Sequence, residues 1–110
     1  MKVEQKGHTT IIRNTQGNTK EFIQKVNQEY HSFKNQNLII DLLHDKELTM
    51  NDVKLFTPLV KSQAKEKKSI VIVANNLNFT DIPDTITVVP TVLEAHDIIE
   101  MEEIERDLGF

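Results

Sequence analysis

The chain has 110 residues, 38% apolar and 27% charged, which suits one domain with one core and excludes wholesale disorder. It has no Cys, which excludes a disulfide scaffold, a thiolate metal site and a cysteine nucleophile, and no apolar run longer than Ile70–Ala74, which excludes a spanning helix. The net charge of −4 divides unevenly: residues 1–68 hold twelve Lys and Arg against eight acids, residues 69–110 one Arg against nine acids, an acidic end that argues against nucleic acid as the main partner.

Residues 2–6 and 9–13 read as short strands around Lys6-Gly7-His8, a hairpin turn. Asn14–Gly17 is turn-rich. A helix is predicted from about Thr19 to Phe33, with Asn18 as cap and Glu21 as capping-box partner. Phe22, Val26, Tyr30 and Phe33 share one face of it and read as core. A base-stacking platform would need basic residues interleaved there, and only Lys25 and Lys34 are near.

After the loop Asn35–Asn37, Leu38–Leu43 is a nearly continuous apolar run, as in a strand buried on both faces. A second helix starts near Thr49, capped by Thr49 with Asp52 three residues on. Val53, Phe56, Val60 and Ala64 supply its apolar face. Pro58 falls inside it, so the helix either kinks there or restarts with Thr57 as cap and Pro58 as first residue. Ile70–Ala74 is another buried strand, Asn75–Asp84 is polar and irregular, and Ile86–Val89 is a last short strand closed by Pro90. Thr91 and Glu94 open the final helix.

The order ββαβαββα predicts a single-domain α/β fold, a mixed sheet of about five strands with about three helices. Two apolar strands joined by a helix form a βαβ unit and pair in parallel. In such sheets functional groups gather beyond the carboxyl ends of the strands, here His44–Asp52, Asn75–Asp84 and Val89–Thr91. His44-Asp45-Lys46-Glu47 is the densest ionisable cluster there, but no nucleophile stands beside it. The three glycines stand alone at 7, 17 and 109, so there is no phosphate cradle. His96 lies on the apolar side of the last helix and reads as a packing residue, and His31 suits a helix end. No metal ligand set, cofactor site or catalytic residue is assigned.

From Leu38 to Ala74 the pattern resembles a STAS domain, the fold of bacterial anti-sigma factor antagonists and of sulfate-transporter cytoplasmic tails. The likeness lies in a buried strand ending Asp41-Leu42-Leu43, a polar loop, a helix opening at Thr49-Met50-Asn51-Asp52, and the strand Ser69–Val73. Val88-Val89-Pro90-Thr91-Val92-Leu93-Glu94-Ala95 is similar to the family's last strand and helix. The resemblance covers about residues 3–100 by element order. It implies a β-α superhelix that recognises proteins and catalyses nothing, a cytoplasmic module without cofactors, with Thr49, Asn51 and Asp52 on its partner surface. The family's switch is an Asp-Ser-Ser/Thr-Gly turn whose hydroxyl a partner kinase phosphorylates. Asn51 stands at the acceptor position and cannot take phosphate; Thr49, the one hydroxyl in the turn, is needed as a cap. The expected module has therefore lost the switch.

The ending Glu102-Glu103-Ile104-Glu105-Arg106-Asp107-Leu108-Gly109-Phe110 is similar to that of short bacterial proteins that carry the name ribonuclease Z. The chemistry rejects that activity. The nuclease needs clustered His and Asp ligands for two metals, whereas His8, His31, His44 and His96 are scattered, none at i,i+2 or i,i+4 of another.

Two functional classes stay open at this level. One is a non-enzymatic interaction module that binds a regulatory protein or itself, with neither nucleic acid nor membrane as partner. The other is a small ligand-binding domain or enzyme using the loops after the strands. The first has a candidate surface in the C-terminal segment 101–110, set apart from the domain 1–100. Val92, Ala95, His96 and Ile99 share one helix face, while Met101, Ile104 and Leu108 share another about 160° away. One straight helix cannot bury both on one sheet, so it bends near Glu100 or turns the second stripe outward. Met101, Ile104, Leu108 and Phe110 are the expected partner residues. Acids at the helix end oppose the dipole, so 101–110 is expected to be weakly ordered unless docked on the Lys61–Lys68 region, a second subunit or a partner groove.

Overall fold

A computed structural model describes residues 1–109. It has five strands, β1 (Lys2–Lys6), β2 (Thr9–Arg13), β3 (Asn37–Asp41), β4 (Ile70–Val73) and β5 (Val88–Val89). Its helices are α1 (Thr19–Glu29), α2 (Met50–Lys54), α3 (Thr57–Lys65) and α4 (Val92–Asp107). The strands lie side by side in chain order; β1 runs antiparallel to β2, and all the others pair in parallel. The α/β architecture and its element order are those expected. Among the described residues no helix is long and apolar enough to cross a membrane.

Local chemistry fixes the element ends. Gly7 closes the β1–β2 hairpin with φ +57°, at the first central position of a two-residue loop where glycine carries no steric penalty. Asn18 Oδ1 accepts from the Glu21 N–H, and Thr91 Oγ1 accepts from the Glu94 N–H. At α2 the capping box is complete: Thr49 Oγ1 accepts from the Asp52 N–H, and Asp52 Oδ2 accepts from the Thr49 N–H. The α1 helix ends earlier than its apolar period suggests and passes into a 3-10 turn at Tyr30–Ser32, which still delivers Phe33 to the core.

Pro58 restarts the second helix. α2 stops at Lys54, and α3 begins with Thr57 and Pro58 in its first turn, where a missing N–H costs nothing. Phe56 takes the cap position, and no side chain caps α3. The break changes the helical phase. Val53 and Phe56 are buried as expected, but Leu59 and Gln63 take the core positions read for Val60 and Ala64. Val60 is half-buried, and Ala64 is exposed.

Strand side chains alternate between two cores. Ile12, Leu38, Ile40 and Ile72 meet α1, α2 and α3 on one face through Phe22, Val26, Val53, Phe56 and Leu59. Ile11, Ile39, Val71, Val73 and Val89 meet α4 on the other face through Ala95 and Ile99. β3 and β4 are thus covered on both sides, which is why their sequences are unbroken apolar runs. The β4–β5 connection holds only a 3-10 turn at Phe79–Asp81, and its Leu77, Ile82 and Ile86 pack on the face of α1 and α3.

Tyr30 and Gln63 join α3 to the chain before β3. The Tyr30 hydroxyl donates to Gln63 Oε1 at 2.7 Å. Burial pushes the phenol above its ordinary value, and the Glu66 carboxylate adds to the rise. This is the only tyrosine, and there is no Trp, so near-ultraviolet absorbance reads its titration alone. The expected midpoint lies above the usual value of about 10. The unfolded chain ionises first, so this contribution to stability is complete below that usual value and is lost as pH rises through the folded one. A midpoint at or below the free value would contradict the contact.

Candidate functional site

Two surfaces carry the residues singled out in the sequence, and they lie apart. Thr49, Asn51 and Asp52 open α2, beyond the carboxyl end of β3 and on the face of the sheet that holds α1 and α3. Met101, Ile104 and Leu108 lie on the lower half of α4, which packs on the opposite face and runs toward the amino ends of the strands. Phe110 lies outside the described residues.

The first surface is an open cleft of about 380 Å³ lined by residues of the α1 and α2 starts together with Asp45 and Glu47. Its Thr19, Asp45, Thr49 and Asp52 side chains are committed to local structure. Asp45 is buried; its Oδ2 accepts from the Thr19 hydroxyl at 2.6 Å and its Oδ1 from the Glu47 N–H at 3.0 Å. These bonds tie the β3–α2 loop to the first turn of α1. Thr49 and Asp52 cap each other, while Asn51 and His44 are exposed. The His44–Glu47 cluster therefore does not converge: one member is a buried brace and its neighbours point to solvent. Among the described residues no group of three or more His, Asp or Glu could hold a metal ion. Thr49→Ala is expected to lower stability by about 1 kcal/mol, the usual worth of a cap, read as a shift in the urea midpoint at unchanged slope.

On the α4 face, Asp41 is buried and accepts from Arg13 Nε at 2.9 Å and from the Leu43 N–H at 3.0 Å. The Asp41 hydrogen bond holds the guanidinium above its ordinary pKa against the opposing effect of burial. Arg13 Nη1 also lies 3.7 Å from Glu4 Oε1. This cluster ties β1, β2 and β3 together.

The second surface is built by α4 itself. The helix runs from Val92 to Asp107 without interruption, so the expected division at residue 100 falls inside one helix. It does not bend to bury both stripes. Ala95 and Ile99 are buried, while Leu93, Met101, Ile104 and Leu108 are 73%, 62%, 54% and 66% exposed. Four of the seven large exposed apolar residues in the described chain thus stand on one side of one helix.

No family model matches the chain, and no curated protein matches it.

The lower end of α4 is held by Arg106. Its Nη1 donates to Ser69 Oγ at 3.0 Å and its Nη2 to Asn37 Oδ1 at 3.4 Å. His8 Nδ1 lies 3.5 Å from Glu103 Oε2. The docking edge is therefore the start of β3 and β4, beside Lys67 and Lys68, which share an open cleft with Glu102, Glu105 and Arg106. Arg106 was not legible as an anchor, because Glu102 one turn earlier is the partner that spacing suggests. With the end anchored and the inner face buried, the outer stripe is presented on a fixed helix.

Proposed function

We propose that this chain is a non-enzymatic protein-recognition module, related to STAS domains, and that the outer face of α4 is its contact surface. The observation that carries the reading is the exposed stripe Leu93, Met101, Ile104 and Leu108 on an anchored helix. Monomeric domains rarely leave several large apolar side chains on one helix face in water unless a partner covers them. The β3–α2 loop supports chemistry poorly, since Asp45, Thr49 and Asp52 are engaged in a brace and a cap. The STAS relation rests on the element order and on the helix opening at Thr49. With Asn51 at the acceptor position, the module works without a phosphorylation switch in that turn. Its expected place is the cytoplasm.

The test compares tagged full-length chain with the variant Ile104→Asp/Leu108→Asp in affinity capture from native cells. Both residues are exposed, so circular dichroism should be unchanged, and the urea midpoint should fall only by the small cost of two acids at a helix end. A stoichiometric protein retained by the native chain and lost by the variant is the expected result. Retention by both, with loss in an Asn51→Arg chain, would move the contact to the α2 turn. A stoichiometric phosphate on Thr49 in protein from its own cells would overturn the lost switch.

A further inference from the structure

We infer that the occupant of the α4 stripe is a basic amphipathic helix of a partner protein; the inference rests on the reading of α4 as a contact surface. The geometry follows from a rotation of about 100° per residue. With Leu93 as origin, Ile104, Leu108 and Met101 fall within an arc of about 80°, while the buried Ala95 and Ile99 lie on the far side. The stripe runs for about 22 Å along the axis, at 1.5 Å per residue.

The charges that α4 itself places around it have one sign. Asp97 falls inside the arc, between Leu93 and Met101, and Glu100 borders it on the side of Leu93; both are exposed. Glu94 and Glu105 border it on one side and Asp107 on the other, all exposed. Arg106, the only cationic residue of α4 apart from His96, is turned to Ser69 and Asn37. On α4 itself the apolar ridge is therefore bordered by carboxylates, while Lys67 and Lys68, after α3, share the cleft of Glu102, Glu105 and Arg106 at its lower end. Such a surface selects a partner with apolar anchors at i, i+3 or i+4 and i+7, and Lys or Arg beside them. The partner element is a helix because α4 is convex and has its backbone bonds satisfied, so it offers ridges to pack and no strand edge to extend.

The same charges exclude the other occupants. Two copies joined through their stripes would oppose carboxylate to carboxylate whether the helices ran parallel or antiparallel. A lipid surface is also disfavoured, since interfacial helices carry Lys and Arg on their polar side and an anionic leaflet repels acids.

The experiment selects binders from a displayed library of helix-forming peptides of random sequence, using the full chain as bait. The expected winners carry helical-period Leu, Ile, Phe or Met with Lys and Arg around them. As synthetic peptides they should bind more weakly as salt rises and lose at least about tenfold affinity for Ile104→Asp/Leu108→Asp. Winners that are apolar but acidic or neutral, and still depend on Ile104 and Leu108, overturn the basic partner and leave the surface standing. Winners indifferent to Ile104→Asp/Leu108→Asp overturn the surface as well, and so does a selection that enriches nothing. Light scattering that shows a dimer of the native chain dissociated by the same variant assigns the stripe to a second copy. Sedimentation with phosphatidylcholine or phosphatidylserine vesicles assigns it to a membrane. Either result overturns the inference.

Discussion

Phe56→Ala is expected to cost about 3–5 kcal/mol, the range for emptying a fully buried aromatic site. A domain of this size has about 5–15 kcal/mol in all, so the variant should be marginal near room temperature. Phe56 has no exposed surface, and its ring is tilted 55° against Phe22 at a centroid distance of 6.5 Å. It also stands at the joint between α2 and α3, as the residue before the first turn of α3. Collapse around an Ala would have to move two helix ends held by the Thr49–Asp52 box and by the packing of Leu59. Little relaxation is available, which places the loss toward the upper end of the range. Phe56→Leu keeps most of the volume and should cost about 1.5 kcal/mol or less. Urea unfolding of the two variants separates cavity from ring. A loss below about 1 kcal/mol for Phe56→Ala would show that the joint is loosely packed.

The elements legible in the sequence are those set by short-range chemistry. Asn18, Thr49 and Thr91 each accept from an N–H three residues on, and a side chain so placed marks a helix start wherever the chain goes next. Leu38–Ile40 and Ile70–Val73 read as buried strands because helices cover both faces of the sheet, leaving no side that must be polar. The interior of the second helix was not legible. A single period drawn through Pro58 selects Val60 and Ala64, whereas a helix that stops and restarts selects Leu59 and Gln63. No local rule counts Gln63 as core, since an amide enters an apolar layer only when distant segments supply its partners.

The functional surface was legible in part for the same reason. Rotation along α4 separates Met101, Ile104 and Leu108 from Ala95 and Ile99, which is arithmetic on the sequence. Whether the helix bends is decided by the sheet. Among the described residues α4 is the only helix on its face, Arg106 anchors its end at Ser69 and Asn37, and no described element lies above it to receive the second stripe. The sheet also separates this stripe from the α2 turn at Thr49–Asp52, a separation that periodicity cannot express. An interaction surface on α4 is therefore independent of the turn the STAS resemblance singles out.

Gln63→Leu is expected to cost about 2 kcal/mol, although Leu is close in volume and the site is fully buried. Gln63 Oε1 accepts from the Tyr30 hydroxyl, while Nε2 donates to the Gln36 carbonyl at 2.9 Å and to the Ser69 carbonyl at 3.4 Å. The Ser69 carbonyl retains the Leu38 N–H as donor, and Tyr30 is half-buried and can turn to water. The Gln36 carbonyl, on a half-buried residue, is left without its side-chain donor, so the loss stays within the range of about 1–3 kcal/mol for a group deprived of a hydrogen bond. Gln63→Ala adds a cavity and should cost about 3 kcal/mol. Ser69 also joins this network to the other helical layer: its N–H donates to Asn37 Oδ1, and Arg106 on α4 donates to its hydroxyl. The lower edge of the sheet is thus a polar clasp between α3 on one face and α4 on the other. In a double-mutant cycle, Gln63→Leu and Arg106→Ala should deviate from additivity by about 0.5 kcal/mol or more, because both act on Ser69. Hydrogen exchange in α4 should rise in both single variants, and most in Arg106→Ala. If Gln63→Leu proves neutral and strictly additive with Arg106→Ala, the buried amide only fills space, and α4 is held by its apolar face alone.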